Sequence, residues 1–198
     1  MINTEILKSA IFEVELSYIK DERLKENARI LLDLLPDYYY EIPASSSGKY
    51  HPDFATGNKG LIRHTKVAVR IAKEILDLEL TNEEFTANEK DLILITLLLH
   101  DGVKSGYEHS EHTKFEHPII IAEFILNNKD KTTLTDEEIQ LIVSSIKTHM
   151  GEWTTSAYSD IVLPKPEDKN QKLVHVCDYL SSRKFLSVKF DKDDNIDG

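Results

Sequence analysis

The chain is organised around one stretch, residues 92–101, which reads Leu-Ile-Leu-Ile-Thr-Leu-Leu-Leu-His-Asp. Coiled into a helix it is apolar on nearly every side, and such a helix is normally buried in the middle of a domain. It ends in His100 and Asp101, where the negative pole of the helix dipole favours a bound cation. The sequence therefore predicts a buried central helix with two candidate metal ligands. For this pair alone, the alternative is a core helix that ends at an ordinary aspartate turn.

Composition bounds the class of protein. The 198 residues are 40% hydrophobic and 30% charged, which suits one soluble globular domain with a small N-terminal addition. The formal net charge of −11 argues against tight binding of long nucleic acid, because that binding needs many lysines and arginines. We find neither a membrane-length apolar run nor a secretory signal pattern. The single Cys177 excludes an internal disulfide framework, so we expect a cytoplasmic protein. Because no apolar run reaches membrane length, we also expect that it binds no membrane.

Outward from the central stretch, apolar residues recur at helical spacing and no strand pattern is visible. The spacing predicts an all-α protein with helices over residues 4–35, 60–80, 89–100, 116–127, 135–149 and 168–185. We divide the chain into three parts. They are a helical extension that packs on the core (1–36), a main domain (37–190) and a flexible tail (191–198).

Local signals mark two capping spacings and one unusual connection. Thr81 with Glu84 and Thr135 with Glu138 have the spacing of a capping box; the first is predicted to begin a short turn and the second to open a helix. The connection at residues 37–60 is long and polar, and such segments in compact domains are often functional. The alternative is a flexible linker, although its tyrosines make it too apolar for that.

Six polar residues are predicted to face the core. Any one buried histidine is more often a hydrogen-bonded core residue than a ligand. Burying six such groups without partners, two of them carboxylates, would cost too much for a marginally stable domain, and a shared metal centre satisfies them together. Imidazole and carboxylate without thiolate suit Fe, Mn, Co, Ni or Zn. The six residues are His64, His100, Asp101, His117, His149 and Asp178.

At these residues the sequence resembles the HD-domain superfamily of metal-dependent phosphohydrolases, over roughly residues 43–185. The matching elements are His64 in Leu-Ile-Arg-His-Thr, the doublet His100–Asp101 after an apolar helix, and Asp178 in the last helix. The resemblance implies an HD-domain helical bundle with a buried metal site, in which these four residues hold one metal. It also implies that His117 and His149 hold a second metal, as in the dinuclear members of the family.

The resemblance also suggests the residues that act on substrate. The segment from Asp101 to Lys104 resembles the family's frequent His-Asp-x-x-Lys form, whose lysine helps to hold substrate phosphate. Asp101 and Lys104 are therefore the candidate catalytic residues. Ser47, Lys49 and Arg63 are further candidate phosphate ligands. Their alternatives are a solvated turn for the serine run and a solvent-facing position on the helix for Arg63.

We expect a metal-dependent phosphohydrolase that cleaves a phosphoester or phosphoanhydride of a small nucleotide by metal-activated water. The expected cofactor is a divalent transition metal, as two ions that share Asp101. Two alternatives stay open: a phosphodiesterase or nuclease on short oligonucleotides, and an HD module that binds a nucleotide without turnover. Phosphate release, as against saturable binding with no product, would separate the last of these. The chain lacks a second histidine beside His149 and a Gly-Tyr-Pro signature, so the cyclic-di-nucleotide phosphodiesterase branch is not favoured.

Overall fold

A computed structural model describes residues 7–45, residue 48 and residues 51–197. Within these ranges the chain forms eight α-helices and no β-strand, so the predicted all-α class is confirmed. None of these helices is both long enough and apolar enough to cross a lipid bilayer. The helices are α1 (Glu13–Leu16), α2 (Glu22–Leu34), α3 (Gly60–Asp77), α4 (Glu79–Asn82), α5 (Ala87–Leu99), α6 (His117–Asn127), α7 (Asp136–Lys147) and α8 (Lys169–Ser181).

The helix predicted to be central, α5, lies at the centre of the core. Every residue from Asp91 to Leu99 is buried, and α5 packs against α2, α3, α7 and α8. Because its apolar residues point in all directions, it needs partners on all sides, and each buried leucine or isoleucine contributes roughly 2 kcal/mol to stability. Helices α3 and α8 also pack on each other, and α7 packs on α6 and α8. The inward faces of α3, α5, α7 and α8 therefore meet.

Capping chemistry explains where two helices begin, and it corrects one prediction. The Thr135–Glu138 capping box is present and opens α7. The predicted Thr81–Glu84 box is wrong, because Thr81 lies inside the short helix α4 and its hydroxyl donates to the carbonyls of Ile75 and Leu78. The box that opens α5 is formed by Thr86 and Glu89, whose side chains accept each other's backbone N–H groups.

Residues before Pro36 share the main core. Phe12 and Leu16 are fully buried in the same apolar cluster as α5. The carboxylate of Asp91, on α5, accepts the backbone N–H groups of Lys20 and Asp21 at 3.0 and 2.9 Å. These bonds attach the end of the N-terminal helical segment to α5. Helix α2 begins directly after them, at Glu22.

A bidentate ion pair fastens α2 to α7. The two terminal nitrogens of Arg23 lie 3.0 and 2.6 Å from the carboxylate oxygens of Glu138. This hydrogen bonding holds the pKa of Glu138 below its ordinary value. A carboxyl group with a lowered pKa in the folded state adds stability above its unfolded pKa, and the contribution disappears as pH falls through the folded pKa.

We expect Glu138→Gln to lower the free energy of unfolding by about 1 kcal/mol at pH 7, because the partly exposed Arg23 is screened by water. Glutamine keeps the capping box, so the loss reports the ion pair alone. In urea titrations the difference from wild type should shrink below about pH 4. Glu137→Gln, at the exposed neighbouring position, is the control. An equal loss at pH 7 and at pH 3 would contradict the assignment.

The C-terminal residues were predicted to form a flexible tail, but residues 190–196 fold back on the domain. Asp194 accepts hydrogen bonds from Lys59 and Arg63 at 2.8 and 2.9 Å. Asn195 accepts one from the buried Lys66 at 2.8 Å. The tail is therefore held on α3 and on the residues just before it. No local pattern in a stretch of aspartates and lysines predicts pairing with residues 131 positions away.

Candidate metal centre

The structure brings all six predicted metal ligands together. His64 lies on α3, His100 ends α5 and Asp101 follows it. His117 is the first residue of α6, His149 lies two residues beyond α7, and Asp178 lies on α8. Five of the six are buried, and the side chain of Asp178 is 18% exposed. Helices α3 and α8, the turns that follow α5 and α7, and the first residue of α6 thus contribute to one cluster.

Asp101 stands between two groups of histidines. Its Oδ1 lies 3.1 Å from Nε2 of His117 and 3.8 Å from Nε2 of His149. Its Oδ2 lies 3.5 Å from Nε2 of His100 and 3.9 Å from Nε2 of His64. Two buried triads therefore share this one carboxylate, an arrangement consistent with a binuclear metal site.

Asp178 completes the first of these triads. Its Oδ1 lies 3.1 Å from Nε2 of His64 and 3.5 Å from Nε2 of His100. A cation among these atoms would meet two imidazole nitrogens and two carboxylate oxygens. That donor set, free of thiolate, suits the first-row metals named above.

Backbone carbonyls fix the tautomer of three histidines. Nδ1 of His100, His117 and His149 each lies 2.7 Å from the carbonyl oxygen of the residue three positions earlier. A carbonyl can only accept, so Nδ1 carries the proton and donates it. In the neutral ring, Nε2 then presents a lone pair to the centre, as a metal-binding histidine requires.

His64 reaches the same state through a hydroxyl relay. The hydroxyl of Ser181 donates to the carbonyl of Asp178 at 2.7 Å. Its only proton is thereby used, so at the 3.1 Å contact Ser181 Oγ accepts from Nδ1 of His64. In their neutral form, all four imidazoles therefore turn an unprotonated Nε2 towards the carboxylates.

The cluster fits a metal better than it fits a set of ordinary core residues. Nε2 of His100 and Oδ1 of Asp101 are buried without a hydrogen-bond partner. Nε2 of His117 and Nε2 of His149 lie 3.0 Å apart, and two lone pairs at that separation repel each other unless a positive charge lies between them. Cations shared by the two triads would satisfy all four of these atoms.

The charges of the site depend on its burial and on the neighbours of each group. Burial alone raises the pKa of Asp101, but Lys104, His100 and His117 outweigh it, so this pKa lies well below its ordinary value. Burial likewise raises the pKa of Asp178, but the neighbouring imidazoles of His100 and His64 outweigh it, so this pKa also lies well below its ordinary value. Burial, and then the nearby His117, lowers the pKa of His149 to about 3. The site therefore presents two carboxylates and a neutral His149 at pH 7.

The cluster lies at the bottom of a cavity of about 550 Å³. Metal-site residues, among them Asp101 and Asp178, line one part of it, together with Lys104, whose Nζ lies 2.5 Å from Asp101 Oδ2. The rest of the cavity is lined by residues that were not predicted as substrate ligands. They include His51, Met150, Trp153, Tyr179, Ser182 and Arg183.

The predicted phosphate ligands have different outcomes. Lys104 lines the cavity beside the metal cluster, as expected. Ser47 and Lys49 lie outside the described residues. Arg63 does not line the cavity, because its guanidinium binds the carbonyls of Phe54, Thr56 and Asn58 and the carboxylate of Asp194. It holds the loop before α3 and the C-terminal tail, and we do not propose it as a substrate ligand.

The turn after His149 is held by His175. Nδ1 of His175 donates to the carbonyl of His149 at 2.7 Å, and the ring lies against Gly151. Gly151 has φ +65°, and a Cβ at that position would come within 2.1 Å of the His175 ring. Only glycine fits, since it tolerates both the left-handed conformation and the close approach.

We therefore expect Gly151→Ala to weaken metal binding by at least about tenfold, because the displaced turn carries His149 out of position. Gly57→Ala is a matched control, since Gly57 has φ +66° with no atom within 4 Å of the added Cβ. Thermal unfolding should show both variants less stable by roughly 1 kcal/mol, because alanine is strained in the left-handed conformation. Metal content after dialysis should fall only in Gly151→Ala. Equal metal content in the two variants would contradict the role of this turn.

A scan against protein-family models matches the HD domain to residues 61–183. The match covers more than half of the chain and includes all six clustered residues. The chain therefore belongs to the HD-domain family. No curated protein and no solved structure gave a significant match. Together, the family and the buried cluster indicate a metal-dependent phosphohydrolase.

Proposed function

We propose that this protein is a metal-dependent phosphohydrolase that cleaves a phosphoester or phosphoanhydride of a small nucleotide. One observation carries the proposal: two ligand triads share Asp101 at the bottom of an open cavity that also holds Lys104. A structural metal site is closed by protein ligands on all sides, whereas this cluster opens to a space where a substrate can approach.

His64, His100, Asp101 and Asp178 would hold one metal ion, and Asp101, His117 and His149 the other. When bound, the metals supply the Lewis acid that polarises water and phosphate oxygens. Lys104 places an ammonium group at the same carboxylate, within reach of a phosphate oxygen in the cavity. Three backbone carbonyls and the Ser181 hydroxyl keep the imidazoles from turning, so the ligands need little rearrangement when metal binds.

Charge supports an anionic substrate at this place. The chain as a whole has a formal charge of −11 and repels anions. In the cavity, Lys104 and Arg183 balance Asp101 and Asp178, so two divalent cations would leave a strong local excess of positive charge. A small phosphorylated compound can enter this site, whereas a long nucleic acid would also meet the acidic surface.

The size of the cavity favours a nucleotide over inorganic phosphate. About 550 Å³ lies in the range that encloses small organic ligands, and far exceeds the volume of one phosphate group. The preferred base, the sugar and the number of phosphates are matters for a substrate panel, as is the identity of the metal.

The test begins with metal analysis of protein purified without chelator, in which we expect between one and two equivalents of a first-row transition metal. The same protein is then incubated with nucleoside mono-, di- and triphosphates, with short oligonucleotides and with sugar phosphates. Phosphate release from a nucleotide that stops on addition of chelator supports the proposal. Cleavage of oligonucleotides alone would replace it with a phosphodiesterase, and saturable binding without product would replace it with a binding module.

A further inference from the structure

Two aromatic side chains, those of Trp153 and Tyr179, stack on each other in the wall of the cavity. The indole of Trp153 and the ring of Tyr179 are nearly parallel, at an interplanar angle of 15° and a centroid distance of 5.7 Å. Both residues line the cavity, and 44% of Trp153 is exposed. A large indole half-exposed in the wall of a cavity is available to a ligand.

The stack is fixed relative to the metal cluster. Tyr179 directly follows the metal ligand Asp178 on α8, and Trp153 lies four residues beyond His149. His175 contacts both aromatic rings and also holds the His149 carbonyl. The distance between the aromatic wall and the six clustered residues is therefore set by the same turn and helix that position Asp178 and His149.

Arg183 adds a cation to this wall. Its guanidinium carbon lies 4.1 Å from the centre of the Tyr179 ring, and its nitrogens donate to the carbonyl of Tyr179 and the hydroxyl of Ser182. No carboxylate of the described residues lies within ion-pair distance of it. In a strongly acidic chain, an arginine in a cavity without an acidic partner is positioned to meet electron-rich groups of a ligand.

We propose that Trp153, supported by Tyr179 and Arg183, is the base-binding wall of the cavity: it stacks the heterocycle of a nucleoside phosphate whose phosphate lies at the metals. The inference rests on the proposed function and adds the residues that determine its specificity. A nucleobase presents a π-face of indole size, and stacking on an aromatic side chain holds it whatever its hydrogen-bonding edge. A sugar phosphate without a base would leave this wall empty.

The first test uses the wild-type protein. Trp153 is the chain's single tryptophan, so its fluorescence reports this wall alone. The metal-loaded protein is mixed with each of the four common ribonucleoside 5′-monophosphates, and separately with ribose 5-phosphate, and read immediately after mixing. Saturable quenching by at least one nucleotide, with none by ribose 5-phosphate, supports the proposal. No quenching by any nucleotide, or equal quenching by ribose 5-phosphate, overturns it.

The second test measures which substrates lose activity. Trp153→Ala should lower kcat/KM for the best nucleotide by about tenfold or more, mainly through KM, and leave ribose 5-phosphate unchanged. Trp153→Phe should recover most of the loss, since it restores an aromatic face. Tyr158→Ala is the control, because Tyr158 is a 97% exposed aromatic residue in the same loop and does not line the cavity.

The outcomes separate the two proposals. Equal loss on both substrates in Trp153→Ala, or no loss on either, overturns the base-binding wall while the phosphohydrolase stands. If wild-type protein hydrolyses no phosphoester at all, the proposed function fails, and the fluorescence titration still decides whether a base stacks on Trp153. Metal content and circular dichroism of each variant show that the fold and the cluster are intact.

Discussion

Replacement of Asp101 by asparagine is expected to abolish phosphohydrolase activity and to remove most of the bound metal. Both triads use this carboxylate, one through each oxygen. Asparagine keeps the volume but offers one weak oxygen donor and an N–H group that points at histidine lone pairs. We expect a loss of at least about a thousandfold in kcat, since a metal supplies several kcal/mol of transition-state stabilisation.

The measurement combines metal analysis with phosphate release from the best substrate. Asp160→Asn makes the same chemical change at an exposed position and should leave both readings unchanged. His100→Ala should resemble Asp101→Asn in metal loss, because Nε2 of His100 faces both carboxylates. Full metal content together with full turnover in Asp101→Asn would remove the basis of the metal centre.

Replacement of Lys104 by methionine should separate catalysis from metal binding. The ammonium group lies 2.5 Å from Asp101 Oδ2 and cannot itself bind a cation. Metal content should therefore be retained, and removal of a neighbouring positive charge should if anything strengthen metal binding. Turnover should fall by about a hundredfold, because one preorganised contact to the developing phosphate charge is lost.

Methionine preserves most of the apolar stem of Lys104, so the fold is not put at risk. Lys104→Arg should restore part of the rate, with the geometry of its wider planar group limiting the recovery. Lys165→Met removes a charge from the exposed loop before α8 and is the control. Unchanged kcat and KM in Lys104→Met would show that phosphate is held by other residues, with Arg183 the next to replace.

The central helix and the clustered histidines could be predicted because their signal is local. Residues 92–99 are apolar at every position but one, and His64, His117 and His149 fall on apolar stripes where water cannot solvate them. Helical periodicity reports which side of a helix is buried, so it identified α5 and the side chains that face it. Their convergence on Asp101 then follows from the packing of α3, α7 and α8 around one helix.

Most residues that periodicity missed lie in loops or depend on distant partners. His51 and Trp153 lie outside the helices, so no spacing rule places them in the cavity. The position of Arg63 on α3 is compatible with contact to either phosphate or the loop, and only the fold brings Asp194 next to it. The Thr81–Glu84 capping box is absent for a different reason. The same spacing can also occur inside a short helix, and the sequence pattern does not distinguish the two cases.

The hydrogen bonds that hold Nδ1 of the four histidines differ in the kind of acceptor. Three of the Nδ1 groups donate to main-chain carbonyls, which every amino acid provides, so no substitution of the accepting residue removes the acceptor. His64 alone depends on a side chain, the hydroxyl of Ser181. Ser181 is therefore the position at which the basicity of one ligand can be adjusted genetically. Alanine at this position would delete the relay, which should weaken metal binding at the first triad.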